Sequence, residues 1–160
     1  MTTIKIKEQN AKTAWESADA HGQKMLENLF PDVEFKPLLI TDRVKTLADA
    51  IAIVKPLGNT LTLLQYNGVD PFMLGAQAMA ELSVIATALN EGWEANWADG
   101  DQRKYYPWFE HKSGVGLSYG GYLYGVSHAG VGSRLCYKTS DLATYAGKQF
   151  QSIYQKFLQK

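Results

Sequence analysis

Apolar side chains recur at helical spacing from Ala11 to Phe30, through Ala14, Trp15, Ala18, Met25, Leu26 and Leu29, which predicts helix over this stretch. Gly22 stands near its middle and is expected to divide it in two, and Pro31 ends the pattern. Before it, Ile4 and Ile6 alternate with lysines, the pattern of a short edge strand or extended arm. Thr46 and Asp49 have capping-box spacing, with Asp in place of the usual Glu. Leu47, Ala50, Ile51 and Val54 then predict a short helix stopped by Pro56 and Gly58. Leu61 to Tyr66 reads as a strand or buried linker, and Asn67-Gly68 as a turn. Asp70-Pro71 pairs a cap acceptor with a residue that needs no donor. The Ala-, Leu- and Met-rich run to Asn90 is therefore expected to be a central helix, with Gly92 at its C-terminal cap.

Beyond Gly92 the period changes. Lys104–His111, Val115–Tyr119, Tyr122–Val126 and Arg134–Lys138 read as short strands separated by Gly-rich turns. Thr139-Ser140-Asp141 offers cap chemistry. Leu142, Tyr145, Ala146, Phe150, Ile153, Tyr154, Phe157 and Leu158 then form one helical stripe. The order predicts an α+β fold: N-terminal helices and a C-terminal amphipathic helix packed on a small antiparallel sheet. It is read as one domain over 1–160, helical to about 92, β-rich over about 93–138, and helical again over about 139–158.

Length supports this, since a chain of 160 residues buries enough surface to fold without a metal or disulfide. The 16 basic and 16 acidic residues balance, which removes a global field as the basis for binding nucleic acid or an anionic membrane. The portion through Gly92 holds 8 basic and 11 acidic residues and the remainder 8 and 5, a tilt from −3 to +3. Cys136 is the sole cysteine, so no internal disulfide or all-cysteine metal site is available. The N-terminus lacks the apolar run of a secretory signal. The stretch Leu82–Leu89, taken as the longest apolar one, is short for a membrane span. The expectation is a cytoplasmic protein with no membrane partner.

Ala88-Leu-Asn-Glu-Gly-Trp93, Asn96-Trp97, Tyr105-Tyr-Pro-Trp-Phe109, Val131-Gly-Ser-Arg-Leu-Cys-Tyr-Lys138 and Tyr145-Ala-Gly-Lys-Gln-Phe150, with Ile40-Thr-Asp-Arg-Val-Lys-Thr46, resemble an uncharacterised family of small bacterial proteins common in prophages and mobile elements. The resemblance spans most of the chain. It implies a phage-derived, intracellular context, and it carries over no activity and no site residues.

Familiar catalytic motifs lack their contexts. Gly116-Leu-Ser118-Tyr-Gly120 matches a nucleophile elbow, but a strand pattern follows where that motif needs a helix. Gly114, Gly116 and Gly120 miss dinucleotide-loop spacing by one position. Asp99-Gly-Asp101 suits a polar turn better than a calcium loop. His21, His111, His128 and Cys136 have no zinc-ligand spacing. No metal, cofactor or catalytic residue is assigned.

The aromatic cluster carries the remaining signal. Between Trp93 and Tyr124 lie three of the four tryptophans and five of the nine tyrosines. On a strand, Tyr105, Pro107 and Phe109 share one face, with Tyr106 and Trp108 on the other. Both faces buried as core is the favoured reading, since aromatics dominate packing energetics. The alternative makes Arg103, Lys104, Tyr106, Trp108 and Trp97 a binding surface for a protein or single-stranded nucleic acid. Functionally, the first reading is a non-enzymatic accessory protein of a phage or mobile element acting through such a contact. The other is an enzyme with a composite acid and histidine site in the Asp99–Arg134 region, drawing on Asp99, Asp101, His111 and Arg134.

Overall fold

A computed structural model of the chain describes residues 6–35, 39–54, 63, 65–112, 114, 116–127 and 135–158. These gather into two compact units, Met1–Leu38 and Leu39–Lys160, where the sequence reads as one domain. Among the described residues the fold is α+β, with seven helices and one two-stranded antiparallel sheet.

The first unit holds α1 (Glu8–Ser17) and α2 (Ala20–Leu29). The break between them falls at Ala18–Asp19 and not at Gly22. Asp19 is the reason: its carboxylate accepts the Gly22 N–H at 2.8 Å, starting a new helix three residues earlier. Gly22 lies inside α2, where a Cβ would sit 3.0 Å from that of Ala18. Trp15 stacks on Phe35, and Phe30 meets Phe35 edge-on. Of the expected N-terminal strand, Ile6 is exposed and outside any element; Ile4 lies outside the described residues.

The second unit opens with α3 (Ile40–Arg43) and α4 (Leu47–Val54). The expected capping box is formed: Asp49 accepts from the Thr46 N–H at 2.8 Å, and the Asp49 N–H donates to Thr46 Oγ1 at 3.2 Å. Pro37, Pro56, Gly58 and most of the 61–64 stretch lie outside the described residues, and Tyr66 belongs to no strand. At the Asn67-Gly68 turn, a Cβ on Gly68 would run into the Tyr66 ring.

Helix α5 (Pro71–Asn90) begins as expected, with Asp70 accepting the Met73 N–H at 3.1 Å. It ends with Glu91 at φ +50° and Gly92 at φ +82°, two successive left-handed residues that close the helix. By length and composition the whole of α5 suffices to cross a membrane, where the sequence reading measured only Leu82–Leu89. Its second half, including Leu82, Val84, Ile85 and Leu89, is core of this unit.

Strands β1 (Lys104–Lys112) and β2 (Gly116–Gly125) form the sheet. The two strands expected over 115–126 are one strand. Partners run Trp108↔Gly121 and then Phe109↔Tyr119, leaving Gly120 unpaired as a bulge, so Gly120-Gly121 is a kink and not a turn. Trp108 lies across it: a Cβ on Gly120 would fall 2.6 Å from the indole. The strand expected over 134–138 contracts to one bridge, Tyr105↔Tyr137; Arg134 lies outside the described residues.

Thr139 caps α6 (Ser140–Gln149), accepting the Leu142 N–H at 3.2 Å. The single C-terminal helix of the sequence reading is two, α6 and α7 (Gln151–Leu158), joined at Phe150. The Phe150 N–H still reaches Ala146 O at 3.0 Å, and Phe150 O still accepts from Ile153 and Tyr154. The bend thus leaves the apolar period intact, which hides it from the sequence. It allows α6 to pack on the hairpin while α7 packs on α5.

Candidate interaction surface

The main-chain direction of β1 explains how the aromatic cluster is arranged. Tyr105 gives its N–H to Tyr137 O at 3.0 Å and accepts the Tyr137 N–H at 2.7 Å. In an antiparallel strand both groups of a residue point to one side and alternate along the chain. Tyr105, Pro107 and Phe109 therefore direct their backbone polar groups away from β2. Pro107, which has no N–H, stands where β2 needs none.

Tyr105, Pro107 and Phe109 share one face, as the strand reading expected, and that face is the one applied to the helices. Tyr105 and Phe109 pack on the core. The Phe109 ring centroid lies 4.8 Å from that of Tyr154. Gly147 of α6 comes so close that a Cβ would sit 2.6 Å from the Tyr119 ring and 2.8 Å from Pro107 Cβ. Nearby, Tyr137 is wholly buried, and its hydroxyl lies 3.1 Å from that of Tyr154.

The proposed basic surface is not assembled as expected. Lys104 has no exposed surface. Its ammonium donates to Asp99 O at 3.0 Å and Val126 O at 2.8 Å, and lies 5.4 Å from the Trp97 ring centroid. A cation taken from water needs such oxygens and a ring face in compensation. Lys104 thus ties the 93–103 segment to the end of β2, and neither it nor half-buried Trp97 is a free phosphate ligand. Trp108 and Tyr106 are also half-buried. Trp108 is engaged on the Gly120-Gly121 kink. Tyr106 borders a cleft of about 30 Å³ shared with Phe109, Tyr154 and Phe157, room for about one water molecule. Arg103 alone of the five is exposed, its guanidinium carbon 4.8 Å from the Tyr124 ring centroid.

The composite acid and histidine site is not brought together either. Asp99 Oδ1 accepts the N–H groups of Asp101 at 2.9 Å and Gln102 at 3.2 Å, the polar turn that its sequence suggested. His111 is exposed near the other end of β1, seven residues and roughly 23 Å along the strand from Lys104. Arg134 and His128 lie outside the described residues. No group of three or more His, Cys, Asp or Glu side chains suited to a metal occurs among the described residues. Cys136 is buried, and desolvation pushes its thiol up from the ordinary range. Ser118 stands inside β2, its hydroxyl buried, with no following helix to build an elbow.

What sequence reasoning missed is the exposed end of β2. Tyr122, Leu123 and Tyr124 are 46%, 51% and 51% exposed. Tyr105 meets both tyrosine rings at centroid separations of 5.9 Å, and Arg103 flanks Tyr124. The signal was present as three consecutive large side chains without a charge. The sequence reads it only as part of a short strand over Tyr122–Val126, because burial is a tertiary property. Comparison of the chain with protein-family models, curated proteins and solved structures finds no match.

Proposed function

We propose that this is a non-catalytic binding protein that acts by protein contact through the open end of its hairpin, in the phage or mobile-element context that its resemblance implies. The observation that carries the reading is the exposure of Tyr122 and Tyr124 on one face of the hairpin's open end, with Arg103 beside Tyr124 and Leu123 exposed on the opposite face. Large apolar side chains grouped at a surface mark interaction sites more often than singly scattered ones do. Tyr and Arg are also the residues that interfaces favour at their centres.

Charge favours a protein over a nucleic acid. Residues 93–127 hold Arg103, Lys104 and Lys112 against Glu94, Asp99, Asp101 and Glu110, a balance of 3 − 4 = −1, and Lys104 is spent within the fold. A single-strand platform needs a positive groove along its stacking rings. The test places the photoreactive residue benzoylphenylalanine at Tyr124 and irradiates cells producing the protein. The expected result is a discrete protein adduct, absent when the residue is placed at exposed Glu94. A fluorescent oligonucleotide should not bind at low salt. Oligonucleotide binding with a log–log salt slope of about −0.7 per contact would replace this reading with the nucleic-acid one.

A further inference from the structure

The open end of β2 has a second property beyond exposure. Tyr124 lies opposite Tyr105, and Tyr122 opposite Pro107. Tyr105 directs its N–H and C=O to Tyr137, away from β2, so its partner Tyr124 directs its own away from β1, as does Tyr122 two residues back. The outer edge of β2 thus presents two N–H and two C=O groups at Tyr122 and Tyr124. At the other end of the same edge these groups are occupied. Leu117 O accepts from Gln151 and Gln155 of α7, at 3.3 and 2.9 Å, and the Tyr119 N–H faces Gln151 Oε1 at 3.4 Å. Helix α7 guards one half of the edge. Among the described residues, none from outside the hairpin bonds to the other half.

That unguarded half reads Gly121-Tyr122-Leu123-Tyr124-Gly125, the same forwards and backwards. An antiparallel pair of identical strands related by a two-fold axis pairs residues equally displaced on either side of the axis. With the axis at Leu123, Tyr122 faces Tyr124 of the other copy, Gly121 faces Gly125, and Leu123 faces itself. The hydrogen-bonding phase agrees. Tyr122 and Tyr124 carry the outward groups and form the hydrogen-bonded pairs, while the two Leu123 residues form the closer non-bonded pair at the axis. Tyr–Tyr cross-strand pairs are favourable. The glycines at both ends bring no bulk, and no like charges meet, because the segment carries none. Edge strands that stay single are commonly protected by lysine, proline or an inward charge, and this half of β2 has no such protection.

From this we infer that the partner at the open end of β2 is a second copy of the chain, joined edge to edge into a four-stranded sheet about a two-fold axis at Leu123. The inference rests on the protein-contact reading above. Isologous pairing of this kind closes on itself and uses up both exposed edges, so it yields a dimer and not a fibre.

Sedimentation over a concentration series tests it, with the expected species at twice the 17.8 kDa of one chain. Leu123→Lys and Tyr124→Lys should lose the dimer with melting temperature nearly unchanged, since both side chains are already half exposed. Register is tested by disulfide trapping. Leu123→Cys places two thiols at the axis, with Cα atoms about 4.5 Å apart, within the range a disulfide bridges. It should cross-link readily under mild oxidation. Tyr122→Cys, offset from its own copy, should not, and the wild type, with only the buried Cys136, serves as the blank. The inference is overturned by a monomer at every concentration, by a dimer that survives Leu123→Lys, by open-ended aggregates, or by Leu123→Cys cross-linking no faster than a cysteine at exposed Met79. A monomer whose position 124 still cross-links to some other protein would end the second-copy inference and leave the binding reading standing. A monomer with no adduct would end both.

Discussion

At the scale of single residues, the polar groups that the fold buries explain more than the exposed ones. Asn90, at the end of α5, accepts the Lys138 N–H at 3.0 Å and donates to Cys136 O at 2.8 Å. One buried amide therefore holds the segment that bridges to Tyr105. Lys104 does the corresponding work for the 93–103 segment. The Tyr137–Tyr154 pair sets a pH limit. Burial disfavours the phenolate and pushes Tyr154 up from 10.0 to about 12, and Tyr137 also well up. In the unfolded chain both ionise near 10, while in the folded chain they keep their protons. The unfolded state then binds fewer protons, so stability is whole below pH 10 and declines from there toward pH 12. The steepest loss is about 1.4 kcal/mol per pH unit for each tyrosine. Urea midpoints at pH 8, 10 and 11 should show the decline, and Tyr154→Phe should flatten it. Equal midpoints at pH 8 and pH 11 would contradict the assignment.

At the scale of elements, the closest fit is α6 against the hairpin. Gly147 is the contact point, and its substitution should reverse a familiar sign. Gly to Ala in a helix interior ordinarily stabilises by about 0.4–1 kcal/mol. At Gly147 the new methyl would lie 2.6 Å from the Tyr119 ring, and overpacking of that kind costs roughly 1–3 kcal/mol. Gly147→Ala should therefore lower the melting temperature. Gly75→Ala in α5, whose nearest neighbour would be Lys156 O at an ordinary 3.7 Å, should raise it or leave it unchanged. Calorimetry of both variants decides, and a stabilised Gly147→Ala would mean that α6 does not seat as described. Helix starts were legible in the sequence wherever a side chain makes a local bond, as at Thr46, Asp70 and Thr139. Asp19 does the same, but the sequence reading gave its place to Gly22. Strand ends were less legible. The Gly120-Gly121 pair is a local cue that reads equally as a turn or a bulge, and Trp108 lying on it goes with the bulge. The Phe150 bend has no such cue and lets the two parts of the C-terminal stripe reach different neighbours.

At the scale of the whole molecule, the two compact units make a prediction of their own. The core that joins α4, α5, β1, α6 and α7 belongs wholly to Leu39–Lys160. A chain starting at Leu39 is expected to melt cooperatively and to keep the β2 edge, and so to show the same sedimentation behaviour as the full chain. Loss of a cooperative transition in that fragment would show that Met1–Leu38 is required for folding. The sequence by itself determined the α+β class, most helix starts and the alternation that sets Tyr105 and Phe109 on one face of β1, because each follows from local bonding or from a period read along the chain. Only the tertiary structure decided which cations and rings meet solvent. Lys104 and Trp108 look in sequence like surface ligands beside Arg103, yet one is enclosed by Asp99, Val126 and Trp97 and the other lies on a glycine kink. Tyr122–Tyr124 reads in sequence as part of a short strand, and its exposure at the open end shows only in the fold. Exposure is set by what the rest of the chain brings alongside, and no window of sequence around a residue contains that information.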